Sequence, residues 1–414
     1  MSQSMHNKLG NNNKIGNKIN RRKKKNKIVI IGAGPIGCYL GSRLAKSGCN
    51  VEIYEAKKKI GEPVQCTGII TKEIEKILDS NILYEKEIII NNIKQVEINH
   101  NIKKNNKSAV IPIDDIIIDR TKFDQHLAKL AQINGAKIFL KHRVIRIDKT
   151  RNEVYIKFKN ENKKVTYDIL VGADGPTSIV GSNINSKQEN IYGLQMRAKL
   201  KKGFEVDKQT YKVFISKKYD GYFGWVVPET EKIIRIGLMG RNVKNTKKLF
   251  EELKKEFNIT SGEHQSGLIP VYSPRKKIKE RNIFLIGDAA AQVKATTGGG
   301  LVPGMKAAQI LSKQIITLQK IKPYNKKFTA KKLQDRLKKK YEQVKLKREL
   351  KLHKIINSAL RKMTTSEYEQ IIKCLKNKKI KKILFEENRD NSTKLILKLL
   401  IAEPRLILFV KNLI

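Results

Sequence analysis

The stretch Ile28–Glu55, IVIIGAGPIGCYLGSRLAKSGCNVEIYE, decides the fold. Ile28, Val29, Ile30 and Ile31 read as a strand buried on both faces, as in a parallel sheet. Gly32, Gly34 and Gly37 complete a G-x-G-x-x-G turn into a helix from Pro35 to Ser47. Each glycine has a different task. Gly32 allows the tight turn, Gly34 lets a pyrophosphate approach bare backbone, and Gly37, with Gly41 one turn on, lets the helix lie close to the sheet. Pro35 suits the first helical position, and the helix N-terminus aims its N–H groups at phosphate. Gly48 ends the helix and Asn50–Tyr54 is the second strand. Glu55 closes that strand, where a carboxylate can accept hydrogen bonds from both ribose hydroxyls. Strand, turn, helix, strand and acid in this order predict a dinucleotide-binding βαβ unit rather than an ordinary glycine-rich turn. An acid at position 55 argues for an unphosphorylated ribose, hence FAD or NAD rather than NADP.

Two distant segments choose between these. Asn282–Ile286 is an apolar strand that runs into Gly287 and Asp288. That puts a carboxylate at the carboxyl edge of the sheet, in reach of a ribityl hydroxyl. Taken alone, Asp288 also reads as a helix N-cap. Thr297–Gly304, TGGGLVPG, is a second glycine loop opening a helix near Leu301 and Val302. Gly298, Gly299 and Gly300 would present bare N–H groups where a reduced flavin carries negative charge. NAD enzymes have no need of this pair of segments, so the predicted cofactor is FAD.

Composition bounds the rest. A chain of 414 residues is long enough for two or three domains. Lys+Arg 87 against Asp+Glu 39 gives a net charge of +48. Lys, Ile and Asn are abundant throughout, so most of this charge reads as compositional bias on solvated surfaces. An anionic membrane surface is the second reading. Specific nucleic-acid binding comes third, because no recognition module stands out. Cys38, Cys49, Cys66 and Cys374 form no C-x-x-C pair, and no histidine sits at ligand spacing, so no metal site is expected. No run of about 18 apolar residues predicts a transmembrane helix, and Met1–Lys27 lacks the apolar core of a signal peptide. The expected location is cytoplasmic, with peripheral membrane contact.

The predicted fold class is α/β: a Rossmann-type FAD-binding domain, an interleaved antiparallel-sheet substrate domain and a helical C-terminal region. Residues 1–27 form a basic disordered tail. Residues 28–75, 107–185 and 280–316 make up the FAD domain. Residues 76–106 and 186–279 make up the substrate domain, and 317–414 the helical region. In detail, Ser108–Asp119 reads as a strand broken at Pro112. Val144–Lys149 and Glu153–Lys159 read as a hairpin. The run from Tyr192 to Met239 reads as antiparallel strands.

The segments IGAGPIGCYLG, PVQCTGIIT, DRTKFDQHLAKLA, LVGADGPTSIVG, YFGWVVP and FLIGDAAAQVKATTGGGLVPGMKAA, between about Lys27 and Gln314, resemble the p-hydroxybenzoate-hydroxylase-like FAD superfamily. Within it the chain is similar to the geranylgeranyl reductase family, of the digeranylgeranylglycerophospholipid reductase type. The resemblance implies hydride transfer from reduced flavin to double bonds of geranylgeranyl chains in archaeal-type membrane lipid precursors. It implies that Arg120 contacts the flavin or its ribityl chain, and that Asp174 and Gly175 support the pyrophosphate. The family's P-x-x-Y-x-W-x-F-P pattern aligns with DGYFGWVVP on Trp225 and Pro228. Phe223 then replaces the tyrosine and Val227 the phenylalanine. Phe223, Trp225 and Val227 share one strand face, an apolar wall suited to a prenyl chain. With the family's phenol missing, Tyr222 and Cys66 are the proton-donor candidates. Tyr222 should point to the opposite face, and Cys66 reads equally well as a structural thiol. Cys66, Tyr222 and Trp225 are therefore the candidate catalytic residues, and Phe223, Trp225, Val227 and Pro228 the cavity wall.

The expected partners are a prenylated lipid, an anionic membrane surface, and an electron donor, either NAD(P)H or a ferredoxin-like protein. Membrane contact is expected through Ser392–Ile414, with Lys394, Lys398, Arg405 and Lys411 reaching head groups and Pro404 breaking the helix. The alternatives are an FAD-dependent aromatic-ring monooxygenase or other flavin oxidoreductase on the same scaffold, and a basic nucleic-acid-binding protein using the tail and Lys326–Lys382. A flavin absorption spectrum separates the last from the others.

Overall fold

The computed structural model describes residues 26–78, 87–102, 107–320, 345–387, 389 and 392–406. The expectations for the basic tail, and for the end of the C-terminal segment beyond Leu406, lie outside these residues. The first part runs β1 (Lys27–Ile31), α1 (Pro35–Lys46), β2 (Asn50–Tyr54), β3 (Ile69–Thr71), β4 (Ile89–His100), β5 (Ser108–Ile118), α2 (Arg120–Ile133) and β6 (Lys137–Phe139). It continues with β7 (Arg143–Asp148), β8 (Glu153–Phe158), β9 (Glu161–Thr166), β10 (Ile169–Gly172), α3 (Ile179–Asn183), β11 (Asn190–Lys199), β12 (Thr210–Ile215), β13 (Phe223–Pro228), β14 (Ile233–Gly240) and α4 (Val243–Glu256). Then come β15 (Glu263–His264), β16 (Gly267–Pro270), β17 (Lys279–Glu280), β18 (Ile283–Leu285) and α5 (Leu301–Lys320). The C-terminal helices are α6 (Lys345–Lys362), α7 (Thr365–Leu375), α8 (Lys378–Glu386) and α9 (Ser392–Ala402).

The first sheet has the order β17-β18-β10-β1-β2-β6, with β18, β10, β1, β2 and β6 parallel. β1 lies in its interior, and that explains its composition. Ile28 and Ile30 point into the core shared with α1 and α5, while Val29 and Ile31 point into the core under β7 and β8. A strand with no solvated face has no polar alternation to show. α1 sits tight on the sheet because a Cβ at Gly41 would lie 2.6 Å from Ile53 Cδ1. α2 starts at Asp119, whose carboxylate caps the Lys122 N–H at 3.0 Å.

The second sheet has the path β15-β11-β14-β13-β12-β4-β5-β3, with β16 also on β11. One face, with Phe214, Val226, Ile236 and Leu238, packs on Leu249, Phe250 and Leu253 of α4. The other face carries Tyr211, Trp225, Val227 and Met239, with Leu375 and Leu384 of α7 and α8 packed against it.

Four local expectations change. β5 passes through Pro112 unbroken, and the pairing with β4 is irregular between Ile93 and Gln95, opposite the proline. A residue without an N–H is accommodated there by a bulge. β12 is antiparallel to β13 but parallel to β4, so this sheet is mixed. β3 and β5 hydrogen-bond within the second sheet, so residues 69–71 and 108–118 belong to it and not to the FAD sheet. The hairpin of β7 and β8 gains a third strand, β9. Its sequence, ENKKVT, buries only Val165, which leaves no alternation to read.

Candidate FAD site and the adjoining apolar wall

The three fingerprint glycines divide by cause. At Gly32 φ is +101°, and a Cβ would lie 2.3 Å from the Ala173 carbonyl oxygen. At Gly37 it would lie 2.1 Å from the Gly32 carbonyl oxygen. Both are glycine because the protein's own backbone demands it. Gly34 is different. Its φ is −68°, open to any residue, and a Cβ there meets nothing within 4 Å. It stands at the N-cap of α1, which has no side-chain cap, so the first-turn N–H groups face the same open space. Pro35 occupies the first helical position.

Glu55 anchors this turn. Its Oε2 accepts from the Ala33 N–H at 2.8 Å, and its Oε1 accepts from the Lys57 N–H at 2.8 Å. Each oxygen keeps a second lone pair, so the carboxylate can still take ribose hydroxyls. Asp174 turns inward. It accepts from Ser178 Oγ at 2.6 Å and from the Val180 N–H at 3.2 Å, and so builds the turn against which Gly32 packs. Burial pushes its carboxyl above the usual range, against the pull of those hydrogen bonds. Gly175 follows at φ +81° with open space around its Cβ position.

Asp288 lies where the sequence places it, in the turn after β18. Burial pushes its carboxyl up to about 6, and the Arg120 guanidinium draws it part of the way back. Among the described residues no donor bonds to this carboxylate. Gly300 closes over it: a Cβ there would be 2.9 Å from Asp288 Oδ1. Gly299 lies against Lys294, and Leu301 opens α5.

Arg120 is committed to Asp124, through Nε at 3.0 Å and Nη2 at 2.9 Å. Burial opposes its charge, and Asp124 and the Cys66 thiol outweigh that burial. Cys66 thus touches Arg120, and its Sγ also accepts from the Gly68 N–H at 3.4 Å. The loop that carries it is tied to the second sheet. Thr67 Oγ1 donates to Gln195 Oε1 at 2.6 Å, and Arg235 Nη1 donates to the Thr67 carbonyl at 2.7 Å. Arg235 is itself held by Glu229 at 2.6 Å.

Trp225 shares this junction. Its Nε1 donates to Gln195 Oε1 at 3.1 Å, and Gln195 Nε2 donates on to Gln265 at 2.9 Å. Its ring lies over Gly237, where a Cβ would be 2.3 Å from the indole. Phe223 and Trp225 meet edge to face at 5.8 Å, and Val227 belongs to the same cluster. Pro228 ends the strand, its carbonyl accepting from Asn91. Met239, in this cluster, comes within 3.4 Å of the Cβ position of Gly298, so the apolar wall adjoins the glycine loop. Tyr222 departs from expectation, since it joins the Trp225 side. Asp220 and Gly221 adopt positive φ, and β13 begins only at Phe223, so strand alternation does not reach Tyr222. Burial pushes its phenol up while Arg241 draws it down. Sequence reasoning misses Gln195, Gln265, Arg235 and Glu229. Their one signal is a polar residue inside an otherwise apolar strand or beside one.

These residues fit FAD. Gly34 has no internal reason to be glycine, α1 has no side-chain N-cap, and among the described residues Asp288 is a half-buried acceptor without a donor. Among the described residues no group of His, Cys, Asp or Glu could hold a metal ion.

A pH dependence follows from Asp288. Its folded value lies above the unfolded one, so its contribution to stability is full below about pH 4 and lost as pH rises through about 6. Asp288→Asn lacks this titration. Apoprotein melting temperatures should therefore coincide near pH 4 and favour the variant increasingly toward pH 7. In the holoprotein the gap should shrink. A constant difference across that range would show that Asp288 is not a strained carboxylate.

Comparison with known proteins agrees with this geometry. The family model described as FAD binding domain matches residues 25–320. The chain is 30% identical over 312 residues to an uncharacterized protein of Methanocaldococcus jannaschii, covering 70% of this chain and 75% of that protein. It is 27% identical over 391 residues to a digeranylgeranylglycerophospholipid reductase of Thermoplasma volcanium, covering 87% of this chain and 96% of that one. Among solved structures, a geranylgeranyl bacteriochlorophyll reductase-like protein of Thermoplasma acidophilum superposes with a TM-score of 0.77 at 20% identity, covering 94% of this chain and all of that one. The flavin-dependent halogenase CmlS superposes at 0.66 and 15% identity, covering 91% and 76%. At these identities the structural matches speak for the fold.

Proposed function

The chain belongs to the FAD-binding-domain family, and on that premise we propose that it saturates carbon–carbon double bonds in the geranylgeranyl chains of archaeal-type membrane lipid precursors. FAD is its cofactor and the chain is an oxidoreductase. The lipid substrate is the finer step. The observation that carries it is the wall of Phe223, Trp225 and Val227, joined through Met239 to the Gly298 loop. The names of the relatives at 25–27% identity point the same way.

When bound, reduced FAD supplies the hydride. The protein's residues do the rest. Gly34, the α1 N-terminus and Glu55 would hold the dinucleotide, and Asp288 and the Gly298–Gly300 loop would hold its reactive half. Trp225 and its neighbours exclude water and align an alkene that offers no polar handle, so positioning must carry much of the rate. Cys66 is the better placed proton carrier of the two candidates. Its thiol sits beside the Arg120 guanidinium. Tyr222 has its phenol raised by burial and engages Arg241. The test is direct: the anaerobically reduced flavoprotein is incubated with a geranylgeranylated phospholipid and the product weighed. A mass gain of one H₂ per double bond is expected. An unchanged lipid with a fully reduced, intact flavoprotein would refute the substrate.

Peripheral membrane contact belongs to the same reading. Among the described residues no helix is long and apolar enough to cross a membrane. Phe385 on α8 and Leu397 and Ile401 on α9 are 55%, 61% and 72% exposed, and the latter two lie one turn apart. Of the basic residues expected to reach lipid, Lys394 and Lys398 pair with Glu387 and Arg405 pairs with Glu403, while Lys411 lies outside the described residues. Insertion of the three apolar side chains is then the main source of affinity. Each fully buried side chain contributes roughly 1.5–3 kcal/mol, so replacing all three with serine should lower vesicle binding by more than about 100-fold. Co-sedimentation with anionic vesicles reads this out, and unchanged pelleting would move the contact elsewhere.

A further inference from the structure

A cavity of about 330 Å³ lies beside the FAD segments and is lined by Lys187, Gln188, Val271, Tyr272, Lys276 and Lys354. It is bracketed by two of those segments. Gln188 Nε2 donates to the Pro176 carbonyl at 2.8 Å, just after the Asp174–Gly175 turn. Lys354 follows His353, whose ring bonds Thr296 at 2.7 Å, at the start of the glycine loop. Three lysines therefore line one cavity between the two loops.

The acids nearby are already engaged. Glu189, also in the wall, accepts from Arg241 at 2.6 Å. Asp174 accepts from Ser178 and Val180. Among the described residues, Lys276 donates to the Lys187 carbonyl alone, at 3.4 Å. It is half-buried, and burial lowers its ammonium to about 8 despite the field of Asp174. A half-buried ammonium with one weak partner is stabilised by an anion, and with Lys187 and Lys354 lining the same cavity the site suits the spread charge of a phosphate. The volume holds a phosphate and part of whatever carries it, not a whole dinucleotide.

We infer that this cavity docks a phosphate group, carried either by the nicotinamide dinucleotide that reduces the flavin or by the head group of the lipid. The inference rests on the proposed function only for the names of the two carriers.

The test uses the full-length FAD-loaded protein, so that the cofactor's own pyrophosphate site is filled. Inorganic pyrophosphate, NADPH and phosphatidate-containing vesicles are titrated separately, with phosphatidylcholine vesicles as blank. Lys276→Glu should weaken pyrophosphate binding by more than about tenfold, and Lys276→Met by less. Lys247→Glu, on the exposed side of α4, makes the same charge change elsewhere and should have no such effect. If NADPH competes with pyrophosphate and weakens in parallel, the carrier is the reductant. If phosphatidate binding weakens instead, it is the lipid. The inference is overturned if pyrophosphate binds equally to wild type and Lys276→Glu, both folded and yellow, or if neither carrier responds. Lysine-sensitive NADPH binding together with no lipid reduction would instead sink the prenyl-lipid reading and leave the site standing.

Discussion

Gly34→Val should give a folded but colourless protein, with FAD affinity at least ~100-fold below wild type, about 3 kcal/mol. The two halves of that result have separate causes. In the protein itself a Cβ at position 34 meets nothing within 4 Å, and φ of −68° suits valine. Valine is a poorer N-cap than glycine, which costs on the order of 1 kcal/mol or less. A pyrophosphate over the α1 N-terminus would meet the added branch directly. Gly37→Val provides the contrast, because its Cβ would lie 2.1 Å from the Gly32 carbonyl oxygen and must push α1 off the sheet. It should lower the apoprotein melting temperature, whereas Gly34→Val should not. Calorimetric titration with FAD, with circular dichroism on the apoproteins, checks both. Full FAD occupancy in Gly34→Val would displace the cofactor from this turn.

That contrast shows what a sequence can disclose. The fingerprint is legible because its constraints are local: a turn, a close approach and a helix start within a few residues. Gly-Asp at 287–288 and the 298–300 loop are legible for the same reason. Tyr222 is misread because alternation is extended one residue ahead of β13, which begins only at Phe223, after the positive-φ turn of Asp220 and Gly221. The parallel pairing of β12 with β4, and the membership of β3 and β5 in the second sheet, depend on strands far apart in sequence. The sequence leads one to expect Glu55 as a ribose acceptor, and the structure adds that it pins the Ala33 and Lys57 backbone. The Gln195 bridge between Thr67 and Trp225 joins three segments that no local pattern relates.

The most distant of these unread contacts should matter most for the apolar wall. Arg389, between α8 and α9, pairs with Asp115 on β5, 274 residues earlier. Asp115 is 1% exposed, and Tyr211 donates to its other oxygen at 3.5 Å. Burial drives its carboxyl up and Arg389 pulls it back, so the guanidinium is what lets a charge reside there. Tyr211 and Trp225 face the same cluster, against which Leu375 and Leu384 of α7 and α8 pack. The pair thus fastens the C-terminal helices over the wall. Arg389→Ala leaves a buried carboxylate uncompensated, at a cost of about 3 kcal/mol near neutral pH. Without its partner, Asp115 rises further, so its contribution is present at low pH and lost as pH rises; the deficit should shrink toward pH 5. Asp115→Asn in the same background should recover part of the loss, since a neutral amide carries no buried charge. Trp225, the only tryptophan in the chain, lies under this roof and reports on it. In Arg389→Ala its emission should shift to the red, and trypsin should cut the Lys-rich helices faster, while FAD stays bound. Unchanged emission, proteolysis and melting temperature would mean that apolar packing alone holds the roof in place.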